Sequence, residues 1–399
     1  MDFETVKQQS GRYVMDTYAR FDLCLVKGKN ATAWDESGKQ YVDFGSGIGV
    51  NSLGYCDEGW TAAVTKQACT LQHTSNLYYT LPYIEAAKAL CESTGMDKVF
   101  FCNSGAEANE GAVKIARRYG ALHHGEDCRN IVTLVNSFHG RTLTTLAATG
   151  QQVFHEHFLP LTEGFVSVPA GDLDAMDAAL DGNACAVLLE LVQGEGGVVP
   201  LDKEYVQAVA ALCRQRDVLL MLDEVQTGVG RTGTLFAYGQ YGVKPNVVTA
   251  AKGLGGGLPI GAVLADEKTG GVLSRGLHGS TFGGNPVACA GACEVLKRLA
   301  GPGFLSEVAR KGRLMKQRIS AMPGVKEVRG LGMMLGIVLE DGLSAVDVAA
   351  KGIQNGAIFL TAKTLVRLLP PLTITDEEME RGLQVLETVL TQLQKEKDA

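Results

Sequence analysis

Five short apolar runs, each followed by a turn and a helical stretch, constrain the fold of this 399-residue chain more than any other feature. The runs cover residues 99–102, 131–135, 186–191, 218–222 and 247–250. Most are apolar at nearly every position rather than at alternate positions, which is typical of strands buried on both faces. The repeated order of strand, turn and helix predicts an α/β fold with a mostly parallel central sheet and helices on both of its faces.

The chain beyond about residue 286 has a different pattern. Short apolar runs at 325–329, 332–339, 357–360 and 365–369 alternate with helical stretches, which predicts a smaller α+β unit. The last helix is predicted to begin at the capping box Thr375-x-x-Glu378. Its apolar stripe consists of Met379, Leu383, Leu386, Leu390 and Leu393.

Length and these patterns together predict the domain organisation. Residues 1–58 are rich in turns and are expected to form an N-terminal segment that joins the small domain. Residues 59–287 form the large domain, and residues 288–399 form the C-terminal small domain.

Composition argues against several classes of protein. The chain has 37 Lys and Arg against 44 Asp and Glu, a net charge of −7, whereas nucleic-acid binding needs a basic face. No 18 apolar residues follow one another and the N-terminus has no apolar export segment, so neither a membrane span nor secretion is expected. The ten cysteines and seven histidines are scattered. We therefore expect a cytoplasmic protein with cysteines in its core and no metal site.

The first candidate site follows the run at 99–102. Asn103-Ser104-Gly105-Ala106 turns from a predicted strand into an amphipathic helix, and the free N–H groups of such a helix start can bind phosphate. The alternative is that Ser104-x-x-Glu107 is only a capping box.

A second candidate is Asp223, which five apolar residues precede and which therefore ends a central strand. A buried carboxylate at that position needs a cationic or hydrogen-bonding partner. It could be a helix cap, a metal ligand or the partner of a protonated ring nitrogen. Glu224 follows at once and would face the opposite way, which weakens a metal site built from both carboxylates.

The third candidate is Lys252, which follows an apolar run and precedes four glycines in the next five residues. A lysine amine that is desolvated beside bare backbone becomes a nucleophile for a carbonyl group. The alternative is a surface lysine in a flexible loop, which the strongly apolar flanks disfavour.

Together the three candidates indicate one cofactor. Pyridoxal phosphate needs a phosphate cradle, a carboxylate that keeps its pyridine nitrogen protonated, and a lysine that holds it covalently. The sequence supplies all three: a phosphate site at the start of a helix, Asp223 at the end of a strand, and Lys252 just after a strand.

Given these residues, the chain resembles the class-III (ω-amino) PLP-dependent aminotransferases. Within this family it is most similar to the acetylornithine aminotransferase group. The resemblance runs from about Tyr13 to the last helix. The motifs that carry it are SNLYYTLP, FFCNSGAEANE, NSFHGRTL, LVQGEGGVVP, LDEVQTGVGRTG, AAKGLGGGLPIGA and HGSTFGGNP. It implies a fold-type-I homodimer that moves the δ-amine of N2-acetylornithine to 2-oxoglutarate in arginine biosynthesis, by a ping-pong route through pyridoxamine phosphate.

The resemblance also implies how the cofactor is held. Lys252 matches the lysine that binds it covalently, and Asp223 matches the acid that pairs with its pyridine nitrogen. Phe138 would stack on the ring, and Gln226 would lie near its phenolic oxygen. Thr281 would reach the phosphate in the neighbouring subunit, so that each site needs two chains. The residues that would hold the phosphate within one chain are Ser104, Gly105 and Ala106.

Four further residues match substrate-binding positions of the family. Arg141 would hold the carboxylate far from the reacting amine, and Arg367 the α-carboxylate of glutamate. Glu195 would cover Arg367 when an ω-amine is bound, and Ser280 would lie at the substrate. The alternatives are surface ion pairs for the two arginines and a solvated loop acid for Glu195.

The chain departs from the family pattern at three places. Residues 54–58 replace the usual Gly-His-x-His-Pro segment, which we expect beside the substrate entrance. Leu191 stands where Pro commonly follows Glu190. Ile48 stands where ornithine-specific members tend to carry Tyr, which favours an acylated α-amine over a free one.

Other functions remain open at this point. The same chemistry could act on succinylornithine, ornithine, 4-aminobutyrate or an acylated diaminopimelate. An aminomutase is disfavoured by Arg367, whose partner would be the α-carboxylate of a second substrate. A PLP-binding regulator is disfavoured because the sequence has no helix-turn-helix or basic segment near its N-terminus.

Overall fold

The computed structural model describes residues 2–398. Its strands are β1 Leu25–Lys29, β2 Thr32–Asp35, β3 Gln40–Asp43, β4 Lys98–Cys102, β5 Asn130–Leu134, β6 Phe165–Val168, β7 Ala184–Leu189, β8 Val192–Gln193, β9 Val199–Pro200, β10 Leu219–Asp223, β11 Val247–Ala250, β12 Gly261–Ala265, β13 Val325–Leu331, β14 Met334–Leu339, β15 Ala357–Ile358, β16 Leu360–Ala362 and β17 Leu365–Leu368. Its helices are α1 Phe3–Tyr13, α2 Ser46–Gly49, α3 Glu58–Ala68, α4 Leu81–Thr94, α5 Gly105–His123, α6 Leu143–Ala148, α7 Leu173–Ala179, α8 Lys203–Arg216, α9 Tyr238–Tyr241, α10 Pro286–Leu299, α11 Phe304–Ser320, α12 Ala345–Asn355 and α13 Asp376–Asp398. Short 3₁₀ turns lie at Gln152–Phe154 and Lys252–Leu254.

All five apolar runs are strands of one seven-stranded sheet, in the order β4-β12-β11-β10-β7-β5-β6. β10 is parallel to β7 and β11, and β5 is parallel to β6 and β7. Only β12 runs antiparallel to its neighbours in this sheet, β4 and β11. The prediction of a mostly parallel sheet is confirmed. The sequence pattern missed β6, a short edge strand with two exposed residues, and β12, whose Gly-Ala-Val-Leu-Ala sequence follows a glycine-rich loop.

Helices cover both faces of this sheet, as the alternate residues of β10 illustrate. Leu219 and Met221 pack in the cluster that contains the buried side of α5. Leu220 and Leu222 point the opposite way, into the cluster that contains the buried side of α8. Successive side chains of a strand alternate between faces, so a strand that is apolar throughout is buried from both sides.

The N-terminal segment joins the C-terminal part of the chain through a second sheet, in the order β1-β2-β3-β15. β15 is parallel to β3, with Ala357 opposite Val42. The carboxylate of Glu378, near the start of α13, accepts hydrogen bonds from Asn30 Nδ2 at 2.5 Å and Thr32 Oγ1 at 3.0 Å. These contacts accord with the expected joining of the two segments, while the domain boundaries stay a prediction.

A third sheet, in the order β13-β14-β17-β16, is antiparallel and belongs to the C-terminal part of the chain. The capping box of α13 is confirmed, because the Thr375 and Glu378 side chains accept each other's backbone amides at 3.1 and 3.0 Å. The predicted apolar stripe of this helix is buried throughout. Arg367 lies on β17, between Gly336 of β14 and Leu360 of β16.

Within residues 2–398, no helix combines the length and the hydropathy needed to cross a bilayer. The same residues hold no group of three or more His, Cys, Asp or Glu side chains placed to bind a metal ion. All ten cysteines are free. Five are buried, but Cys56 and Cys69 are exposed, so the expectation that the cysteines are core residues is only partly correct.

Candidate active site

A cavity of about 450 Å³ opens at the carboxyl edge of the central sheet. Its lining comes from the segments that follow β4, β5, β7, β10 and β11, from Asp223 at the end of β10, and from Val50. Ligand sites of open α/β sheets lie at this edge, because the loops after parallel strands converge there. The strand order thus gathers residues that are far apart in sequence.

Asp223 lies on the cavity wall and is 5% exposed. Its Oδ2 accepts hydrogen bonds from Asn109 Nδ2 at 2.7 Å and His139 Nδ1 at 2.9 Å, and its Oδ1 accepts one from the amide of Val225 at 3.0 Å. Thr249 Oγ1 in turn donates to Asn109 Oδ1 at 2.8 Å, which orients the amide. A carboxylate held by three donors can face a cationic ring nitrogen without moving.

Lys252 reaches the cavity from a tight turn two residues after β11. Its φ of 42° lies in the left-handed region, where a residue other than glycine is strained, and such strain is common at functional sites. Burial lowers the pKa of the Lys252 amine, while the nearby carboxylates Glu195 and Asp223 oppose that shift. A buried amine with a lowered pKa is more often neutral, and is then a nucleophile or a base.

The N-terminus of α5 forms another part of the cavity wall. Ser104 caps this helix, since its Oγ accepts the amide of Glu107 at 3.2 Å, and the Glu107 carboxylate accepts the amide of Asn103 at 2.8 Å. The capping interpretation and the phosphate interpretation are therefore compatible. The amides of Gly105 and Ala106 have no acceptor among the described residues, and both residues line the cavity. Unpaired amides at a helix start are suited to binding an anion.

Gly105 also lets the helix begin close to the opposite wall. A Cβ atom at this position would lie 2.7 Å from Cγ1 of Val225, so any larger residue would push the two walls apart. Phe138 lines the cavity after β5 and meets Phe154 edge to face, with 5.9 Å between ring centroids. An aromatic side chain and a valine thus border the space in which a flat ring can lie.

One arginine lines the cavity, and a second contacts Gln226 in the cavity wall. Arg141 is exposed, lines the cavity and stacks its guanidinium over Phe154, 4.0 Å from the ring centroid. Arg367 is 3% exposed, and its Nη1 lies 2.5 Å from Oε1 of Glu195 and 3.5 Å from Oε1 of Gln226. Nε of Arg367 has no partner in the described residues. Glu195 is therefore an ion-pair partner rather than a solvated loop acid.

Ser280 and Thr281 are not among the residues that line this cavity within one chain. Oγ of Ser280 accepts hydrogen bonds from Asn103 Nδ2 at 3.1 Å and from the amide of Gly283 at 2.9 Å, which ties its loop to the start of α5. Thr281 is exposed. Glu195 and Arg367 are not in this lining either, but Arg367 contacts Gln226, which is. Ser280 and Thr281 lie on a surface loop.

Sequence reasoning missed three buried polar residues of the site: Asn109, His139 and Glu190. Glu190 carried the same signal as Asp223, because it also follows an apolar run at the end of a strand, β7. Asn109 is a polar residue on the apolar side of α5. His139 had no local signal, since only the fold brings it to Asp223.

The positions at which this chain departs from the family pattern do not line the cavity. Tyr55 donates to the buried Asp43 at 2.8 Å, and Asp57 caps α3. Residues 54–58 are not among those that line the cavity. Leu191 is fully buried, and Ile48 is 43% exposed with a φ of 63°.

Comparison with known proteins identifies the family. Residues 13–390 match the family described as aminotransferase class-III. The chain belongs to the class-III aminotransferases. This member is 52% identical, over 394 residues that cover 98% of it and 100% of the relative, to a protein of Haemophilus ducreyi named acetylornithine aminotransferase.

Solved structures of this family agree with the fold. The ornithine aminotransferase of Toxoplasma gondii superposes with a TM-score of 0.95 at 33% identity, covering 99% of this class-III chain and 96% of that one. A second structure of the Toxoplasma enzyme has PLP at partial occupancy in its active site. The N-acetylornithine aminotransferase of Stenotrophomonas maltophilia gives a TM-score of 0.83 at 36% identity, covering 97% and 99% of the two chains. The prediction of a fold-type-I enzyme is confirmed.

The family implies pyridoxal phosphate, and the donors and acceptors of this cavity fit it. Two unpaired amides at the start of α5 can donate hydrogen bonds to a phosphate, and a buried, fixed carboxylate can accept one from a ring N–H. The buried amine of Lys252, whose pKa burial lowers, has the chemistry of the nucleophile that this cofactor needs.

Proposed function

We propose that this class-III aminotransferase transfers the δ-amine of N2-acetylornithine to 2-oxoglutarate and works in arginine biosynthesis. The observation that carries the proposal is the ion pair between Arg367 and Glu195, whose arginine contacts the cavity residue Gln226. N2-acetylornithine has one carboxylate, far from the reacting amine, whereas glutamate has one near and one far. A pocket for both substrates needs an arginine for the near carboxylate and an acid that neutralises this arginine when the carboxylate is missing.

The proposed substrate contacts follow from this difference. Arg141 would bind the far carboxylate of either substrate, since it is exposed at the cavity and its guanidinium is held by stacking on Phe154. Arg367 would bind the α-carboxylate of glutamate after Glu195 has moved away. The turn that carries Glu195 contains three glycines, which gives it the backbone freedom for this movement.

Pyridoxal phosphate, when bound, supplies an electron sink for the carbon that loses its proton. Asp223 would hold a proton on the ring nitrogen by charge, with Asn109 and His139 keeping the carboxylate in place. Gly105 and Ala106 would donate their amides to the phosphate, Ser104 would lie beside it, and Phe138 would cover the ring. Gln226 would lie near the phenolic oxygen.

Lys252 would hold the cofactor in the resting enzyme and move protons during turnover. Because burial lowers the pKa of its amine, Nζ can accept a proton from the substrate carbon and return it at a neighbouring position. The same amine would serve both half-reactions, which accords with a ping-pong route.

We further propose that the enzyme is a cytoplasmic homodimer in which each site is completed by the other chain. Thr281 would donate to the phosphate of the neighbouring subunit, and Ser280 would lie at its substrate. The exposed position of Thr281, outside the cavity of its own chain, supports this arrangement.

A second candidate is δ-amine transfer from free ornithine, which the high structural similarity to the Toxoplasma enzyme favours. Ile48 argues against ornithine as the donor, because the isoleucine side chain has no hydroxyl group to bind a free α-amine. A panel of amine donors assayed with 2-oxoglutarate separates the two: N2-acetylornithine, N2-succinylornithine, ornithine, 4-aminobutyrate and N-succinyl-diaminopimelate. We expect kcat/KM to be highest for N2-acetylornithine, and a higher value for ornithine would overturn the proposal.

A further inference from the structure

Glu190 is a buried acid that contacts two loops of the cavity at once. It is 6% exposed. Its Oε2 accepts the backbone amide of Phe138 at 2.7 Å, and its Oε1 accepts the amide of Gly194 at 3.3 Å. One of these loops carries Arg141 and the other carries Glu195. A single carboxylate thus joins the two loops that hold the proposed substrate contacts.

Gly194 is the anchor of the turn that carries Glu195. The amides of Gly197 and Val198 both donate to the carbonyl oxygen of Gly194, at 3.3 and 3.2 Å. The turn therefore closes on Gly194, whose own amide is held by Glu190. A substitution at Glu190 is therefore expected to alter the position of Glu195 through Gly194.

We propose that Glu190 is a positioning residue that holds Glu195 over Arg367 and thereby sets the preference between amino donors. The inference rests on the proposed function, because Arg367 needs cover only when the donor lacks a carboxylate near its reacting amine. With the anchor of Gly194 weakened, Glu195 leaves Arg367 more often. The exposed guanidinium then disfavours an ω-amine donor and accepts an α-carboxylate more readily.

The charge of Glu190 provides a second way to weaken the anchor. Besides the two amides, Glu190 faces the ionisable groups His139, Asp223 and Lys252 in the cavity. Burial raises the pKa of Glu190 to about 7, with His139 opposing and Asp223 adding to this shift. Protonation turns one acceptor oxygen into a donor, so one of the two amides loses its partner. Acidification below about pH 7 should therefore act like removal of one acceptor.

The test uses the purified holoenzyme and the variant Glu190→Gln, which keeps the volume but has only one acceptor oxygen. Each half-reaction is measured by single-turnover kinetics, with N2-acetylornithine or with glutamate as donor. We expect the ratio of kcat/KM for glutamate to that for N2-acetylornithine to rise about tenfold, the effect of one buried hydrogen bond. The same ratio should rise in the wild type as pH falls from 8 to 6, and should not change over this range in Glu190→Gln.

Glu224→Gln is the matched control. Glu224 is also a buried acid after a central strand, burial raises its pKa to about 7, and it accepts the amides of Ala237 and Tyr238. It does not line the cavity. We expect Glu224→Gln to lower the melting temperature and to leave the donor ratio and its pH dependence unchanged.

The outcomes are distinct. Equal losses in both half-reactions, or a pH dependence that persists in Glu190→Gln, would overturn the positioning role. Should Glu190→Gln fail to fold, a wild-type donor ratio that stays constant between pH 8 and 6 overturns the inference. If N2-acetylornithine proves inert in the wild type, the proposed function fails separately, and the ratio is measured with the ω-amine that the donor panel identifies.

Discussion

Replacing Arg367 by alanine should damage the half-reaction with glutamate far more than that with N2-acetylornithine. The guanidinium is 3% exposed, so a glutamate α-carboxylate bound there forms a largely buried ion pair. Removing one partner of a buried pair costs about 3–5 kcal/mol. The Glu195 side chain is 29% exposed in the pair it forms with Arg367, so water reaches the site and recovers part of this energy. We therefore expect a loss of about 2–3 kcal/mol, or about 30- to 150-fold in kcat/KM for glutamate.

The half-reaction with N2-acetylornithine should change little in Arg367→Ala, because this donor has no carboxylate near its reacting amine. Glu195→Ala should have the opposite selectivity: it leaves the Arg367 charge uncovered, slows N2-acetylornithine and spares glutamate. Arg141→Ala is the control, since loss of the arginine for the far carboxylate should slow both half-reactions alike. Single-turnover measurements separate these cases. Equal damage to both half-reactions by Arg367→Ala would refute the switch and make Arg367 a structural residue.

Three further predictions concern the cofactor and the assembly. Asp223→Asn cannot hold the ring proton by charge, so kcat should fall at least about 10³-fold, or about 4 kcal/mol of barrier; near-normal turnover would mean that the strand-end acid is only structural. Borohydride treatment followed by peptide mass spectrometry should find the reduced cofactor on Lys252, and an adduct on another lysine would remove that assignment. Mixing Thr281→Ala with Lys252→Ala subunits should restore activity, because one site of the heterodimer has both residues intact; activity no higher than that of the parents would place phosphate binding within one chain.

Much of the fold could be predicted because its signals are local. Asp223 ends β10 and Lys252 lies two residues after β11, and apart from Asp223 and Thr249 these two strands are apolar. In the structure β10 is buried along its whole length. The start of α13 could be predicted from Thr375 and Glu378, because they are three residues apart and each side chain accepts the backbone amide of the other. By contrast, β12 was missed because a Gly- and Ala-rich strand after a glycine-rich loop has little strand propensity.

Residues of the candidate site could be predicted from the residues alone only where a charged side chain lies at or just after the end of an apolar strand. Lys252 and Asp223 carried such a signal, whereas His139 and Asn109 become site residues through contacts across 84 and 114 positions of the sequence. No local pattern indicates such a contact. The role of Glu190 depends on two backbone amides, of Phe138 and Gly194, and backbone contacts leave no trace in side-chain identity.

The most direct test of the central claim follows the nitrogen itself. N2-acetylornithine labelled with ¹⁵N at the δ position is incubated with the purified holoenzyme and 2-oxoglutarate, and the products are analysed by NMR and mass spectrometry. The account predicts that the label appears in the α-amine of glutamate, in equal amount to the N-acetylglutamate 5-semialdehyde formed. Label released as ammonia, or no transfer while ornithine or another amine reacts, would contradict it.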